Sequence, residues 1–133
     1  MKTVLITGGS SGIGFEMSKC FAEAAYQILW VALSEKELQS ARTDLLKIYP
    51  EVIIKTLALD LSKTDSAETV YHWVRYNHWK IDILINNAGF ATFGFANELP
   101  LERETDMIQL NVLSLFKLTR LFLKDMLMDN AGT

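Results

Sequence analysis

Cysteine and histidine are scarce in this sequence, which has one cysteine and two histidines among 133 residues. The single thiol of Cys20 excludes an internal disulfide and leaves no cysteine-based metal site, so we expect the chain to bind no metal. Because free cysteines are usually buried, we expect Cys20 to pack as a small apolar residue on a helix.

An excess of one charge and a long apolar run are also lacking. The net charge is −3, 50% of the residues are apolar and 22% are charged. A mildly acidic chain without a basic patch is a poor partner for nucleic acid or for an anionic membrane. The most apolar stretch, residues 110–128, is too charged for a membrane span, and residues 1–9 lack the apolar run of a signal peptide. We expect a cytoplasmic protein with one domain core.

Strand-like and helix-like apolar patterns alternate along the chain. Continuous apolar runs are typical of strands covered on both faces, and they predict strands at residues 2–7, 27–33, 51–59 and 81–86. Helical spacing predicts helices at residues 13–25, 34–48, 63–79 and 101–128. Right-handed crossovers between such strands require a parallel sheet with helices on both faces.

This element order predicts a three-layer, doubly wound (Rossmann) α/β fold with about four parallel strands. The complete dinucleotide fold has six strands in the order 3-2-1-4-5-6. We therefore expect residues 1–133 to form a partial dinucleotide-binding domain that ends before the fifth strand.

Local patterns add detail to three of the helices. Ser34 and Glu37 have the spacing of a capping box, which predicts Ser34 as an N-cap, and Thr64 or Asp65 is expected to begin the third helix. The first helix is expected to turn one apolar side to the sheet, formed by Ile13, Met17, Cys20, Phe21 and Ala24. Four aromatic residues near the third helix are expected to cover a surface of the sheet: Tyr71, Trp73, Tyr76 and Trp79.

A cluster of glycines lies between the first predicted strand and the first predicted helix. The spacing is G-x-x-x-G-x-G, formed by Gly8, Gly12 and Gly14. Glycine at such a turn permits positive φ and close approach of a ligand, while the helix amides and dipole face an anion. The position between a strand and a helix predicts a pyrophosphate site, and the absence of a following Lys-Ser or Lys-Thr excludes a P-loop.

Four motifs follow one another along the chain: Thr7 to Gly14, Asp60 with Leu61, Asn86 to Gly89, and Asn111. Together they resemble the motifs of the short-chain dehydrogenase/reductase family. Thr7 to Gly14 is similar to its TGxxxGxG motif, and Asn86 to Gly89 is similar to its NNAG motif. Asp60 with Leu61 resembles its adenine-binding pair, and Asn111 resembles its helical asparagine. The resemblance implies an NAD(P)-dependent oxidoreductase that transfers hydride between a nicotinamide dinucleotide and a small alcohol or carbonyl substrate.

The resemblance also implies a role for each motif. The glycine-loop residues Gly8, Ser10, Ser11, Gly12, Ile13 and Gly14 would hold the pyrophosphate and the adjoining ribose. Asp60 would accept from the adenine amine while the Leu61 amide donates to a ring nitrogen. Asn87, Ala88 and Gly89 would let the backbone approach the nicotinamide-side ribose, and Asn87 is also suited to satisfying local backbone at a strand end. Asn111 would hold a water that links to a catalytic lysine.

The choice between NADP and NAD depends on the end of the second strand. An acid there binds a ribose 2′-hydroxyl, whereas an arginine accommodates a 2′-phosphate. Ala32 and Leu33 stand at these two positions, so neither determinant is present. Ser34 and Lys36 are able to meet a phosphate and Glu35 a hydroxyl, although Ser34 and Glu35 also fit the first turn of a helix. The absent acid favours NADP over NAD.

The family's catalytic Tyr-x-x-x-Lys and its serine have no counterpart in the expected place. The one such spacing, Tyr76 to Lys80, precedes NNAG, and no tyrosine follows Tyr76. We therefore expect residues 1–133 to bind a cofactor without turning over a substrate. The last helix, apolar almost all round, is expected to be buried on more than one side. The resemblance implies that this helix packs at a subunit interface, so we expect a homo-oligomer.

Two other classes of protein share parts of this pattern. A nucleotide-binding or interaction module without catalysis would keep the fold and the glycine loop. An S-adenosylmethionine-dependent methyltransferase would share the fold but has no reason to keep NNAG and Asn111.

Overall fold

The computed structural model describes residues 1–133, which form one four-stranded sheet with helices on both faces. The strands are β1 (Thr3–Thr7), β2 (Gln27–Ala32), β3 (Ile54–Ala58) and β4 (Ile83–Ile85). The helices are α1 (Gly12–Glu23), α2 (Glu35–Ile48), α3 (Ser66–Tyr76), α4 (Leu101–Ile108) and α5 (Leu115–Met128), with a π-helical stretch (Gln109–Ser114) between the last two. No helix combines the length and the apolar character that crossing a membrane would need.

The sheet is wholly parallel and its strands are ordered β3-β2-β1-β4. Leu5, in the centre of β1, is in register with Leu29 on one side and with Leu84 on the other. This order confirms the predicted doubly wound fold, in which the carboxyl ends of all four strands lie at one edge of the sheet.

Alternating residues of the central strand belong to two separate cores. Leu5 packs with Val70 and Phe122, from α3 and α5, whereas Val4 and Ile6 pack with residues of α1 and α2. Because both faces are covered, β1 is buried along its whole length. The continuous apolar runs in the sequence reflect this double burial.

The buried side of α1 differs from the predicted one. The helix buries Gly14, Ser18 and Ala22, while Ile13 is 73% exposed and Cys20 is exposed. These small residues form the contact because the Trp30 indole of β2 fills the space beside them, and its Nε1 donates to Ser18 Oγ at 2.8 Å. The prediction of a buried Cys20 is therefore wrong. Of the predicted apolar face, Phe21 does pack, partly buried, against the core, whereas Ile13, Cys20 and Ala24 are exposed.

Helix α3 packs beside α5 and three polar contacts join them, one of which is the ion pair between Arg75 Nη1 and Asp125 Oδ2 at 3.5 Å. The Tyr71 hydroxyl donates to both carboxylate oxygens of Asp125, at 3.1 and 3.0 Å, and Lys117 Nζ lies 2.9 Å from Glu68 Oε1. Tyr71 packs against the sheet core as predicted, but Tyr76 is 85% exposed and covers none of it. Tyr76 is the last residue of α3.

The C-terminal helical segment is not one regular α-helix as predicted. It changes to a π-helix at Gln109–Ser114 and buries only one side, through residues such as Ser114, Leu118 and Phe122. The opposite side stays exposed, so the expectation of burial on more than one side is not met within one chain. Its exposed apolar residues, which we call the exposed helix face, are Ile108, Val112, Leu113, Leu115, Phe116, Leu123 and Leu127.

Several elements are shorter than predicted because local turns occupy their ends. A hydrogen bond from Val52 N to Tyr49 O turns the chain before β3, and a turn from Asp60 to Lys63 delays α3. Ser34 is the N-cap of α2, where its Oγ accepts from Glu37 N at 3.2 Å, as predicted. Asp65 is the N-cap of α3, although its side chain makes no capping bond.

The contact between Trp30 and Ser18 generates a stability prediction. Ser18→Ala leaves the buried indole N–H without a partner, so we expect a loss of about 1–3 kcal/mol in the free energy of unfolding. Urea denaturation measures this loss, with Ser40→Ala on the exposed side of α2 as a control that changes stability by less than about 0.5 kcal/mol. Equal stabilities of the two variants would contradict the assigned role.

Candidate functional site

The loop after β1 passes directly against the residues that follow β4. Gly8 has a φ of +68°, and a Cβ there would lie 3.0 Å from Asn87 Nδ2 and 3.1 Å from Ala88 Cα. The Gly8 amide donates to Val31 O at 2.7 Å, which fixes the loop to the end of β2 as well. Both the backbone angle and the space therefore require glycine at this position.

Hydrogen bonds between Thr7 and the segment after β4 hold the two strand ends together. The Thr7 hydroxyl oxygen accepts from the amides of Asn87 and Ala88, both at 3.0 Å. In return, Asn87 Nδ2 donates to the carbonyl oxygens of Thr7 and Gly8, both at 3.1 Å. The side-chain amide of Asn87 thus satisfies local backbone carbonyls. The main chain that follows it runs along the glycine loop. We call this set of contacts the Thr7–Asn87 joint.

The start of α1 is packed on one side and open on the other. A Cβ at Gly14 would overlap the Gly8 carbonyl oxygen, so the helix approaches the loop as closely as backbone allows. At Gly12, with a φ of +53°, no atom lies within 4 Å of the Cβ position. Ser11, the N-cap, makes no side-chain capping bond. A helix N-terminus with free amides and open space is suited to an anion.

Asp60 and Leu61 follow β3 and have different surroundings. Asp60 Oδ1 accepts from Ser62 Oγ at 2.6 Å and from Ser62 N at 2.9 Å. The Ser62 hydroxyl is the main cause that holds the pKa of Asp60 below its usual value, so the carboxylate is charged at neutral pH. Leu61 is buried in the core, and its carbonyl accepts from Ser66 and Ser114. The buried Leu61 anchors the half-buried carboxylate of Asp60 beside it.

Asn111 is placed in the π-helical stretch and holds the segment after NNAG. Its Nδ2 donates to Phe90 O at 2.8 Å, and its Oδ1 accepts from Phe90 N at 3.1 Å. Gly89 lies against the same side chain, since a Cβ there would be 3.1 Å from Asn111 Oδ1. Each end of the side-chain amide makes one bond to protein backbone, which leaves a second N–H and a second oxygen lone pair. The expected water contact of Asn111 stays a prediction.

One cleft at the carboxyl edge of the sheet brings most of the predicted residues together. It has a volume of about 410 Å³. The predicted residues that line it are Gly8, Ser10, Ser11, Asp60, Leu61, Asn87, Ala88 and Gly89. The remaining predicted residues, which do not line it, are Gly12, Ile13, Gly14, Ser34 and Asn111.

The residues outside the cleft lining have identifiable places around it. Gly12 and the exposed Ile13 form the open start of α1, and Gly14 supports the loop from behind. Ser34 caps α2, and Asn111 fixes Phe90, which does line the cleft.

Ten of the 18 residues that line the cleft lie outside the predicted site set, and three of these are ionisable: Glu37, Arg103 and Asp106. Glu37 lines the cleft at the end of the sheet where β2 leads into α2. The Arg103 guanidinium lies 3.9 Å from the centroid of the Phe90 ring and is close enough to Asp60 to contribute to its lowered pKa. Arg103 is far from Phe90 and Asp60 in the sequence, and the packing of α4 brings its side chain into the cleft.

The Tyr76 to Lys80 spacing lies in another part of the molecule. Both residues line a separate cavity of about 670 Å³ between the ends of α3 and α5, which shares no residue with the cleft. Lys80 Nζ pairs with Asp129 Oδ2 at 3.3 Å. No group of three or more His, Cys, Asp or Glu side chains is arranged to hold a metal ion.

Comparison with curated proteins gives relatives across nearly the whole chain. A very-long-chain 3-oxoacyl-CoA reductase of Pyrenophora tritici-repentis is 31% identical over 96% of this chain and 38% of its own length. A 3-oxoacyl-(acyl-carrier-protein) reductase of Vibrio cholerae is 28% identical over 98% of this chain and 52% of its own length. The chain thus spans about half the length, or less, of these relatives.

Solved structures and a family model agree with this similarity. A short-chain dehydrogenase from Sphingobium yanoikuyae in complex with NADPH has a TM-score of 0.89 and 30% identity, over 99% of this chain and 51% of that one. The L-sorbose reductase of Gluconobacter frateurii, complexed with NADPH and L-sorbose, has a TM-score of 0.87 and 29% identity, over 98% and 49%. The short chain dehydrogenase family model matches residues 2–133. The chain belongs to the short-chain dehydrogenase family.

Proposed function

We propose that the cleft binds a nicotinamide dinucleotide, and that the protein transfers hydride between this cofactor and an alcohol or carbonyl carbon. The observation that carries the proposal is the open start of α1. Gly12 there leaves room that a side chain would fill, while Gly8 and Gly14 are packed tightly against their surroundings. This difference in packing between Gly12 and the other two glycines supports a loop that binds a pyrophosphate.

Each part of the cofactor is assigned to one part of the cleft. Amides and hydroxyls of the loop at Ser10, Ser11 and Gly12 bind the pyrophosphate and adjoining ribose, with Ile13 beside them. Asp60 and the Leu61 amide bind the adenine edge. The backbone from Asn87 to Gly89, held by the Thr7–Asn87 joint, borders the nicotinamide-side ribose. The bound nicotinamide supplies the hydride chemistry.

Asn111 acts as a positioning residue in this proposal. Its two hydrogen bonds to Phe90 fix the segment that continues from Gly89, and they do so from a π-helical stretch. Such stretches within α-helices frequently occur at functional sites. Through this contact Asn111 sets the position of the cleft wall.

For the cofactor, NADP is proposed over NAD. Neither Ala32 nor Leu33 supplies an acid for a 2′-hydroxyl, and the two solved relatives above are complexes with NADPH. The Ser34 hydroxyl already caps α2, so capping competes with its binding of a 2′-phosphate. Glu37 places a carboxylate in the cleft, which weakens the binding of a 2′-phosphate by repulsion.

Binding without turnover is proposed for residues 1–133. The only Tyr-x-x-x-Lys spacing lies at Tyr76 to Lys80 in the separate cavity, away from the cleft. This placement favours a proton-transferring group outside these 133 residues. It equally supports a second candidate function, a nucleotide-binding module without catalysis.

Self-association is proposed through the exposed helix face. Phe116 is 58% exposed and Val112 59%, whereas Leu118 and Phe122 of the same helical segment are buried. A contiguous apolar surface of this kind is typical of protein interfaces. We propose a second copy of the chain as the partner.

The proposed pyrophosphate site is tested by Gly12→Ala. Its methyl group enters the space at the start of α1, and we expect NADPH affinity to fall roughly tenfold or more, since charge-assisted hydrogen bonds contribute about 1.5–3 kcal/mol each. Isothermal titration with NADPH measures the change. Gly94→Ala is a matched control because it also replaces a positive-φ glycine, outside the cleft, and it should leave affinity unchanged. Wild-type protein that binds neither NADPH nor NADH would refute the proposed function.

The cofactor preference is tested by Glu37→Gln. Removing the carboxylate from the cleft is expected to tighten NADPH binding by roughly three- to tenfold through relief of repulsion, with NADH affinity changed less than about twofold. Parallel titrations with both dinucleotides measure the effect. Tighter binding of NADH than NADPH by the wild-type chain would overturn the preference, and weaker NADH binding by the variant would instead assign Glu37 to the ribose hydroxyl.

A further inference from the structure

Arg103 is a cation in the cleft without an ionic partner. It belongs to none of the five ion pairs of the chain, and its side chain makes no hydrogen bond. It lies instead over the Phe90 ring, with its guanidinium carbon 3.9 Å from the ring centroid. A planar guanidinium on an aromatic face has its second face available for another flat group.

The opposite side of the cleft carries an apolar residue that nothing covers. Leu33 is 71% exposed and lines the same cleft as Phe90 and Arg103. Leu33 follows β2 and Phe90 follows β4, and these strands lie on either side of β1. The two walls therefore border the cleft from opposite sides, and the Asp60 carboxylate lies within the electrostatic reach of Arg103.

The geometry points to Arg103 as an adenine-positioning residue, with its guanidinium stacked on the base and supported from behind by Phe90. A flat heterocycle fits between a guanidinium plane and an apolar side chain, and the nearby Asp60 accepts from its exocyclic amine. This inference rests on the proposed function, and it assigns Arg103 to the base rather than to a phosphate.

Two ligands, NADPH and adenosine, distinguish stacking of Arg103 on the base from its contact with a phosphate. NADPH carries both base and phosphates, whereas adenosine carries the base alone. If Arg103 stacks on adenine, Arg103→Ala weakens both ligands by a similar factor, about 3- to 10-fold. Arg103→Lys, which keeps the charge but loses the plane, weakens both nearly as much. The ratio of wild-type to variant affinity also stays constant as salt rises, since stacking is screened less than a phosphate contact.

Titrations of the 133-residue chain, by calorimetry for NADPH and by NMR for adenosine, measure these affinities. Arg120→Ala, on the exposed side of α5, is the control and should change neither. Loss of NADPH affinity alone, or full rescue by Arg103→Lys, would reassign the residue to a phosphate and overturn the inference. Unchanged affinities in both variants would overturn it as well. If the wild-type chain binds neither ligand, the proposed function itself fails.

Discussion

Two backbone amides that donate to one hydroxyl hold the candidate site together. Thr7, at the end of the central strand, accepts from Asn87 and Ala88, while the Asn87 side chain donates back to the carbonyls of Thr7 and Gly8. The glycine loop and the segment after β4 are thus one unit. Gly8 and Gly14 are consequences of this joint, because any side chain there would meet Asn87 or the loop backbone. Only Gly12, at the start of α1 beside the cleft, is left open, and that opening is the proposed anion site.

The fold was largely predictable because its constraints are periodic. β1 and β2 are buried on both faces, so their apolar runs are continuous, and the alternation with helical spacing implied a parallel sheet. The candidate site was partly predictable for the same reason. Parallel strands end at one edge, so Gly8, Asp60 and Asn87, each just after a strand, were bound to meet there.

Other features depend on packing that leaves little trace in one sequence. The buried face of α1 consists of the small residues Gly14, Ser18 and Ala22, with the Trp30 indole bonded to Ser18, and Cys20 lies outside that face. The π-helical stretch keeps an ordinary helical composition, so the apolar pattern of the sequence does not distinguish it from an α-helix. Arg103 enters the cleft because of where α4 packs, which apolar periodicity does not specify.

The central claim is that the cleft built on the Thr7–Asn87 joint is the cofactor site. Backbone amide chemical shifts during an NADPH titration of the ¹⁵N-labelled chain test it most directly. We predict that the largest changes fall at Gly8 to Gly14, Asp60, Leu61 and Asn87 to Phe90, while Tyr76 to Lys80 in the separate cavity stay constant. Changes centred on Tyr76 to Lys80, or none in the glycine loop, would contradict the account.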